Sequence, residues 1–485
     1  MNNRQLPFRL LALTLIISLI LPVLMKDGMF LDGLQYAVVS KNLAHGEGTF
    51  WQPHLSNTWN KSGNQAFLEH PPLVFGIQSL FFKVLGDSRY VERTYSFLTA
   101  IITALLIAGI WRIIHLNDKN LREFEWLPVV FWISVPICFW SYQNNMQENT
   151  MTIFTTGAIY LGLKALIKQR KIHLNLFLSG TFISLAFFSK GLPGLFPLTL
   201  VPLYFIINKQ PGIRSALLYT TEILLITAAC IILIVLPNPV AYESMSFWLH
   251  QRVLSRISED VTTGNRFDVL WRIFTELLIP LILTAGIIFS DRAKLKDNLA
   301  LSGKSALLFL LLGLSATAPM VLTLVQKGFY LLPGFPLFAI GLASIAAPAL
   351  SKALQKLSVT SSFFIWFRNL AVVMLILSFV FSFAQSGKTS RDREILHDVY
   401  MIGRVMQPHS TTGADLSLYN DWPFQLYLLR YFDISTEPTD TGSLEYYIAP
   451  KENGHSVPPG FQKVELNTVK VTLYRNKKTG GNTGY

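Results

Sequence analysis

The 485-residue sequence is poor in charged residues, which make up only 14% of it. Soluble domains carry roughly 25% charged residues, so this composition excludes a chain built of soluble domains alone. Hydrophobic residues account for 51% of the sequence, and the mean hydropathy is +0.39. Apolar runs near the length that crosses a bilayer recur up to residue 385. These features predict a polytopic α-helical membrane protein.

Cysteine is also scarce: Cys138 and Cys230 both lie inside apolar runs. We expect them to be small buried side chains rather than a disulfide or a metal pair. No internal repeat or low-complexity block stands out. No small-residue cleavage site follows the first apolar segment, where Met25-Lys26-Asp27-Gly28 stand. That segment is therefore expected to remain as a first transmembrane helix rather than to be removed as a signal peptide.

The net charge of +12 does not come from one basic patch, since the Lys and Arg residues lie between apolar runs. Nucleic acid is therefore not an expected partner; the partner implied by this pattern is a lipid bilayer. Five connecting loops carry several basic residues each, whereas the short loops between them carry at most one. The positive-inside rule then predicts a plasma-membrane protein with a cytoplasmic N-terminus and an extracytoplasmic first loop and C-terminus.

Eleven apolar stretches predict about eleven transmembrane helices. Residues 72–85 are apolar but short, and fit a helix lying at the membrane interface. The eleven stretches are 8–25, 93–114, 126–142, 150–167, 174–189, 193–207, 216–236, 269–290, 305–325, 330–350 and 363–384.

The composition becomes that of a soluble protein after Phe383. We expect a transmembrane domain at 1–385, which includes a first outer loop at 26–92, and a small extracytoplasmic α/β domain at 386–485. Within the latter, period-two alternation and turn signals predict strands and one helix. The expected strands are Leu416–Tyr419 and Tyr446–Ala449, with a helix at Trp422–Tyr431 and a hairpin-like pair at Phe461–Arg475.

Two carboxylates stand at the start and the end of the first loop. Asp32 comes early in a segment with the pattern of an amphipathic helix, where an acid either caps the helix or serves chemistry. Glu69 and His70 precede Pro71-Pro72, a rigid turn into the interfacial segment. This second pattern also has two interpretations: a plain helix-start signal, or a carboxylate and an imidazole held at one depth.

Further ionisable residues fall in the other predicted outer turns. Glu148 either lies at the membrane interface without a chemical role or belongs to a functional site. The second interpretation arises because ionisable residues inside membranes usually serve function. Lys190 and Lys327 are single cations in apolar turns, where they either extend to the interface or bind an anionic lipid headgroup. His250 lies in the loop at 241–268, and one His with one carboxylate binds a divalent ion only weakly.

The first-loop pattern DGLQYAVVSKNLAHGEGTFW resembles the dolichyl-phosphate-mannose–protein mannosyltransferase superfamily, whose bacterial branch includes the lipid A aminoarabinose transferase. The resemblance continues in the same order through about 300 residues. The later blocks are LEHPPL, MQENTMTIF, FSKGLPG, WLHQRVLSR and QKGFYLLPGFPL.

The resemblance implies a GT-C fold and an inverting glycosyltransferase that takes one sugar from a polyprenyl-phosphate carrier. The acceptor would be a cell-envelope glycolipid or a protein. Asp32 matches the catalytic aspartate, Glu148 a second outer-loop acid, and Glu69 with His250 a pair that holds a divalent metal ion in some relatives. The resemblance therefore implies that Asp32, Glu69 and Glu148 are the catalytic residues. No cofactor is implied with certainty. Matches to residues that contact the lipid phosphate are Lys190, Arg256, Lys327 and Tyr330.

The chain departs from the family pattern in its first loop. Many relatives have Asp-Glu with Arg two residues later, whereas this chain has Asp32-Gly33 and Gln35, and His70 stands where the aminoarabinose branch often has Lys. The sugar and the acceptor therefore do not follow from the resemblance. A transporter or flippase for a lipid-linked sugar is the alternative, and would place ionisable residues near span centres. A scaffold or polymer ligase would tolerate loss of Asp32.

Overall fold

The computed structural model describes residues 4–59, 65–254, 263–290, 295–438, 444–452 and 457–477. Arg256, expected to contact the donor phosphate, lies outside these ranges. Helices make up most of the described chain, and its five strands all follow residue 410. The predicted fold class, a polytopic α-helical membrane protein with a small C-terminal α/β region, is confirmed.

The α-helices are numbered here in chain order. In the first half of the chain they are α1 Leu6–Leu24, α2 Leu31–His45, α3 Leu73–Leu85, α4 Val91–Ile114, α5 Lys119–Arg122, α6 Trp126–Ile133, α7 Pro136–Gln143, α8 Gln147–Lys168, α9 Ile172–Lys190, α10 Leu200–Asn208 and α11 Ile213–Val235. In the second half they are α12 Pro239–Trp248, α13 Asp268–Glu276, α14 Leu278–Ser290, α15 Leu295–Thr317, α16 Phe335–Gln355, α17 Ser362–Phe383, α18 Arg393–Gly403, α19 Leu416–Tyr419 and α20 Trp422–Phe432. Turns of 3-10 helix occur at Leu192–Thr199, Ala318–Leu322 and Gly328–Gly334, and a π-helical turn at Leu249–Leu254.

Eight helical segments of the described chain are long and apolar enough to cross a membrane. They coincide with eight of the eleven predicted stretches. The other three, 126–142, 193–207 and 269–290, are each divided into two shorter helices. Pro136 begins α7 after the break in the first of them, and α13 and α14 meet at a bend of 53°. Counting that bent pair as one span gives nine.

The chain forms two compact units. The first comprises Met1–Leu24, Leu68–Val74 and Thr94–Gln385, and the second comprises Met25–Phe67, Phe75–Arg93 and Ser386–Tyr485. The sequence placed the first loop with the transmembrane domain, but most of that loop is in the second unit. The reason is backbone pairing: Asp27 N–H donates to Lys388 O (2.7 Å), and Ser390 N–H donates to Asp27 O (2.8 Å).

In the first unit, α8 and α9 form an antiparallel hairpin joined by a short connection. Gly157 of α8 lets the Phe182 ring of α9 approach its backbone, since a Cβ there would lie 2.7 Å from that ring. Because the two helices run in opposite directions, the first turn of α8 and the last turn of α9 lie at the same end of the hairpin. This arrangement places Glu148 near Lys190.

The strands of the second unit are β1 Thr411–Ala414, β2 Ser435–Glu437, β3 Tyr446–Pro450, β4 Phe461–Lys463 and β5 Val471–Asn476. They form one five-stranded sheet of order β2-β1-β3-β5-β4. β1 pairs in parallel with β2 and β3, and β5 pairs antiparallel with β3 and β4. Helices α2, α18 and α20 contribute to the core beside this sheet.

Most of the predicted C-terminal elements are present: the helix is α20, Tyr446–Ala449 lies in β3, and β4 with β5 is the antiparallel pair. The predicted strand Leu416–Tyr419 is wrong, because these residues form α19. The Asp415 side chain accepts a hydrogen bond from Ser417 N–H (2.9 Å), which caps a helical turn there. The neighbouring strand β1 was not predicted.

Candidate functional site

A buried ion pair joins the first turn of α8 to the last turn of α9. Lys190 Nζ lies 3.2 Å from Glu148 Oε1 and donates to Gln147 Oε1 at 3.3 Å. The Glu148 side chain is fully buried, and that of Lys190 is 9% exposed. Each charge also has the favourable position for the helix dipole, an acid at the start of α8 and a cation at the end of α9. The sequence predicted both residues as site residues, and the fold brings them into contact.

Gly191 makes the chain direction after Lys190 possible. Its φ of +89° is strained for any residue with a side chain. A Cβ at this position would also lie 2.3 Å from the Trp248 ring. The turn that ends α9 therefore requires glycine at position 191. This turn also fixes the position of Lys190, the last residue of α9.

An aromatic pair connects Lys190 with the second predicted cation, Lys327. The Lys190 ammonium lies 5.9 Å from the centre of the Tyr330 ring, and the Lys327 ammonium lies 5.9 Å from that of Phe329. The Tyr330 and Phe329 rings meet edge to face at 5.0 Å. Such contacts favour a cation over an aromatic face. Four predicted residues, Glu148, Lys190, Lys327 and Tyr330, thus belong to one cluster, which we call the cation–aromatic cluster and which includes Phe329.

A further cation, Arg272 of α13, was missed by the sequence analysis. Arg272, Asp268, Gln326 and Lys327 line the same small cavity of about 40 Å³. The guanidinium lies directly over Gly328, where a Cβ would come within 2.3 Å of Nη2. The glycine that follows Lys327 was the available signal, because close approach of another group is one reason for glycine at a site.

Glu69 forms an ion pair with Arg252, a residue of the π-helical turn. The Glu69 side chain is 16% exposed and that of Arg252 is 34% exposed. His250 is exposed, and its Nδ1 lies 2.8 Å from Ser246 O. The described residues include no group of three or more His, Cys, Asp or Glu side chains arranged to hold a metal ion. A carboxylate already neutralised by a guanidinium fits a divalent ion poorly.

Asp32 is the second residue of α2, in the second unit, and is half buried. The residue at the N-cap is Phe30, whose side chain makes no capping hydrogen bond. An acid in the first turn favours the helix through its dipole, so this part of the capping interpretation holds. The position also leaves the Asp32 carboxylate partly exposed to solvent.

Asp27, just before α2, is the centre of a buried polar network that the sequence gave no reason to single out. Its carboxylate accepts hydrogen bonds from Tyr400 Oη (2.6 Å), Tyr431 Oη (2.7 Å) and Arg89 Nη1 (3.1 Å). Burial opposes ionisation of this carboxyl group. The two tyrosine hydroxyls and the charge of Arg93 outweigh burial, so the pKa of Asp27 lies below its ordinary value.

The pKa of Tyr400 is shifted in the opposite direction to that of Asp27. Burial, together with its bond to the Asp27 carboxylate, raises the pKa of Tyr400 to about 12. The hydroxyl therefore keeps its proton at neutral pH and remains a hydrogen-bond donor to Asp27. This network holds the chain that enters α2 in one conformation.

Part of the chain is similar to a known protein family. Residues 69–240 match the model of the family described as dolichyl-phosphate-mannose-protein mannosyltransferase. A comparison with curated protein sequences gave no significant match.

Solved structures match far more of the chain. ArnT from Cupriavidus metallidurans bound to undecaprenyl phosphate aligns with a TM-score of 0.64 at 13% identity, over 96% of this chain and 97% of that one. ArnT from the same organism in the apo state gives 0.63 at 14% identity, over 97% of each chain. The apo oligosaccharyltransferase of Archaeoglobus fulgidus gives 0.54 at 12% identity, over 91% of this chain and 69% of that one. The fold expected from the sequence motifs, that of the GT-C glycosyltransferases, is thereby confirmed.

Proposed function

We propose that this chain, with its GT-C fold, is an integral membrane glycosyltransferase that takes a sugar from a polyprenyl-phosphate donor. The observation that carries the proposal is the cation–aromatic cluster. It holds two ammonium groups, Lys190 and Lys327, against one pair of aromatic rings at the ends of apolar helices. Lysine ammonium groups are compact charges suited to phosphate. The related fold of ArnT, in a structure bound to undecaprenyl phosphate, supports the same class of ligand.

The reaction that fits these groups is a single displacement. The acceptor hydroxyl attacks the anomeric carbon of the donor sugar, and Asp32 takes the hydroxyl proton. A new carbon–oxygen bond forms as the bond between that carbon and the phosphate oxygen breaks. The electron pair stays on the polyprenyl phosphate, whose charge Lys190 and Lys327 stabilise. One displacement inverts the anomeric configuration.

Glu148 and Glu69, expected to be catalytic acids, have a different role in this proposal. Glu148 is fully buried against Lys190, so it would hold that ammonium in place rather than exchange protons with a substrate. Glu69 would hold Arg252 in the same way. Tyr330 would orient Lys190 through its ring. No step of the displacement is assigned to a metal ion, because Arg252 already neutralises Glu69.

The bilayer geometry is part of the proposal. A polyprenyl carrier moves in the membrane plane and presents its phosphate at the ends of the spans. We place the N-terminus in the cytoplasm, and the site and residues 386–485 on the outer side of the plasma membrane, because of the distribution of basic loops. The acceptor would be a cell-envelope glycolipid or a protein. The Glu148–Lys190 pair lies at helix ends rather than at span centres, which does not favour the transporter alternative.

The decisive experiment is sugar transfer by the purified full-length protein in detergent, with a panel of polyprenyl-phosphate sugars and with glycolipid and peptide acceptors. Wild type is compared with Asp32→Asn, and with Glu465→Gln as an exposed acid-to-amide control. We expect Asp32→Asn to lose about 10²–10⁴-fold in turnover while still binding donor, and the control to keep wild-type turnover. Equal turnover in all three proteins would remove Asp32 from the mechanism. Absence of transfer from every donor would refute the glycosyltransferase proposal itself.

A further inference from the structure

One face of α20, in the C-terminal part of the chain, contacts the first loop at both of its ends. Tyr427, Arg430 and Tyr431 follow the spacing of a single helix face, since positions three and four apart lie side by side. All three side chains donate hydrogen bonds to, or accept them from, residues of the loop. These contacts lie within the second compact unit, which also holds Asp32.

The contact at the start of the loop lies next to the helix that carries Asp32. Tyr427 Oη accepts a hydrogen bond from Met29 N–H (3.0 Å) and donates to the Asp392 carboxylate (2.9 Å). Burial raises the pKa of Tyr427 above its ordinary value, so the hydroxyl remains protonated and keeps both bonds. Met29 is separated from α2 by the N-cap residue Phe30 alone. The position of the first turn of α2, and with it that of Asp32, is thus tied to Tyr427.

The contact further along α2 is made by Lys41, whose side chain is 2% exposed. Its ammonium donates to Leu429 O (3.2 Å) and Arg430 O (3.1 Å), and forms an ion pair with Asp433. Leu429 and Arg430 belong to the last turn of α20, and Asp433 is the residue that caps this helix at its C-terminal end. An ammonium has three donors, and all three are used. Burial lowers the pKa of Lys41, and the Asp433 carboxylate partly offsets that effect.

The end of the loop is fixed by the same helix. The Arg430 side chain is fully buried and donates to Asp87 O (3.1 Å), Ser88 O (2.9 Å) and Glu92 Oε2 (2.7 Å). Breaking such a buried pair is costly, because it leaves an uncompensated charge. The loop therefore has three fixed points on one helix: before α2, near the end of α2, and at residues 87–92.

From this arrangement we propose that α20 is the positioning element for Asp32, with Tyr427 and Lys41 as positioning residues that act through α2. The proposal rests on the proposed function, in which Asp32 is the base. It assigns to the C-terminal residues a part in catalysis without contact with donor or acceptor. A carboxylate displaced by about 1 Å loses on the order of 10²-fold in rate, so the precision of this hold matters.

The test uses Tyr427→Phe, which keeps the buried ring and removes only the hydroxyl, and Lys41→Met, which keeps an unbranched stem without the charge. Tyr474→Phe is the matched control, because Tyr474 lies in β5 and pairs with β3 and β4. Each full-length protein is assayed for kcat and for donor KM. Hydrogen exchange of the amides at residues 29–45 is measured in parallel, since it reports the hold on α2 without any substrate.

We expect Tyr427→Phe and Lys41→Met to exchange faster at residues 29–45 and to lose about 10–10²-fold in kcat, with donor KM close to wild type. The control should match wild type in both measurements. Faster exchange with unchanged kcat would overturn the positioning role, and so would unchanged exchange in both variants. If wild type transfers no sugar, the proposed function fails and the catalytic half of this proposal fails with it, while the exchange data still decide whether α20 holds α2.

Discussion

Lys190 Nζ lies 3.2 Å from Glu148 Oε1, and the two charges are almost completely removed from solvent. Replacing one member of such a pair leaves the other buried and uncompensated. We therefore expect Glu148→Gln to destabilise the protein by about 3–5 kcal/mol. The double variant Glu148→Gln with Lys190→Met should be less destabilised than Glu148→Gln alone. Thermal unfolding of the detergent-solubilised protein measures both.

The exposed pair of Lys463 and Glu465 is the control for this cycle. Glu465→Gln should change stability by less than about 1 kcal/mol, because exposed pairs contribute little. Lys190→Met alone completes the cycle. A double variant as unstable as the sum of the Glu148→Gln and Lys190→Met changes would mean that Glu148 and Lys190 do not act as a pair.

Gly191 should tolerate no side chain. Gly191→Ala places a residue with Cβ at φ +89° and against the Trp248 ring, and such strain costs on the order of 1–3 kcal/mol before the clash is counted. We expect a lower unfolding temperature and a lower rate of transfer, because the turn that positions Lys190 is displaced. Gly212→Ala is the control, since a Cβ there meets nothing within 4 Å. Equal behaviour of the two variants would contradict this account.

Tyr400→Phe should destabilise the protein in a pH-dependent way. The pKa of Asp27 is lower in the folded state than its ordinary value of 3.8, so the ionised form stabilises the fold above about pH 4. That contribution is lost as the pH falls through the folded-state pKa. We expect Tyr400→Phe to cost about 1.5–3 kcal/mol at pH 7, and less where Asp27 is protonated in wild type too.

Thermal unfolding in a series from pH 7 downward through the folded-state pKa of Asp27, with Tyr474→Phe as control, checks this prediction. A destabilisation that does not diminish as Asp27 becomes protonated would mean that the Tyr400 hydroxyl does not act through the Asp27 carboxylate.

Arg272→Gln should weaken donor binding. The guanidinium lies over Gly328 and lines the same cavity as Lys327, at the proposed phosphate site. Its loss should remove an interaction of about 1.5–3 kcal/mol, which raises the donor KM roughly tenfold or more. A smaller change in kcat is expected, because the interaction exists before and during the displacement. Arg214→Gln, in the first turn of α11, is the control. An unchanged KM would exclude Arg272 from the donor site.

A chelator should leave transfer unchanged, since Arg252 supplies the positive charge beside Glu69. The measurement is the rate of wild type with and without an excess of EDTA, followed by Arg252→Met. We expect the arginine variant to lose activity that no added divalent ion restores. Loss of the wild-type rate with EDTA, and its recovery with a divalent ion, would restore Glu69 and His250 as metal ligands.

Several residues of the candidate site could be predicted from patterns in the sequence. Glu148, Lys190, Lys327 and Tyr330 were predicted from short motifs, and the structure collects them into one cluster. Arg272 and Arg252 were not predicted, because their partners Gly328 and Glu69 lie far away in the sequence. Spacing along one chain carries no information about such contacts.

The apolar runs by themselves determined that this is a multi-pass membrane protein, because a bilayer core imposes a minimum length on every span. They did not determine which spans are continuous. Proline is favoured at a helix start and disfavoured in a helix interior, yet Pro348 lies inside α16 whereas Pro136 begins α7, so only the packing decides where a proline divides a span. The change of composition after Phe383 likewise predicted a domain at 386–485, but it could not show that these residues share a compact unit with most of the first loop.

Only the tertiary structure decided that the first loop and the C-terminal residues fold as one unit. The groups that join them, Asp27 with Tyr400 and Tyr431, and Lys41 with Asp433, lie several hundred residues apart. Each is an ordinary polar residue in its local sequence, and its role arises when burial removes water and leaves only these protein groups as partners. Hydrophobic length determined the membrane architecture, and buried polar pairing determined the surroundings of Asp32.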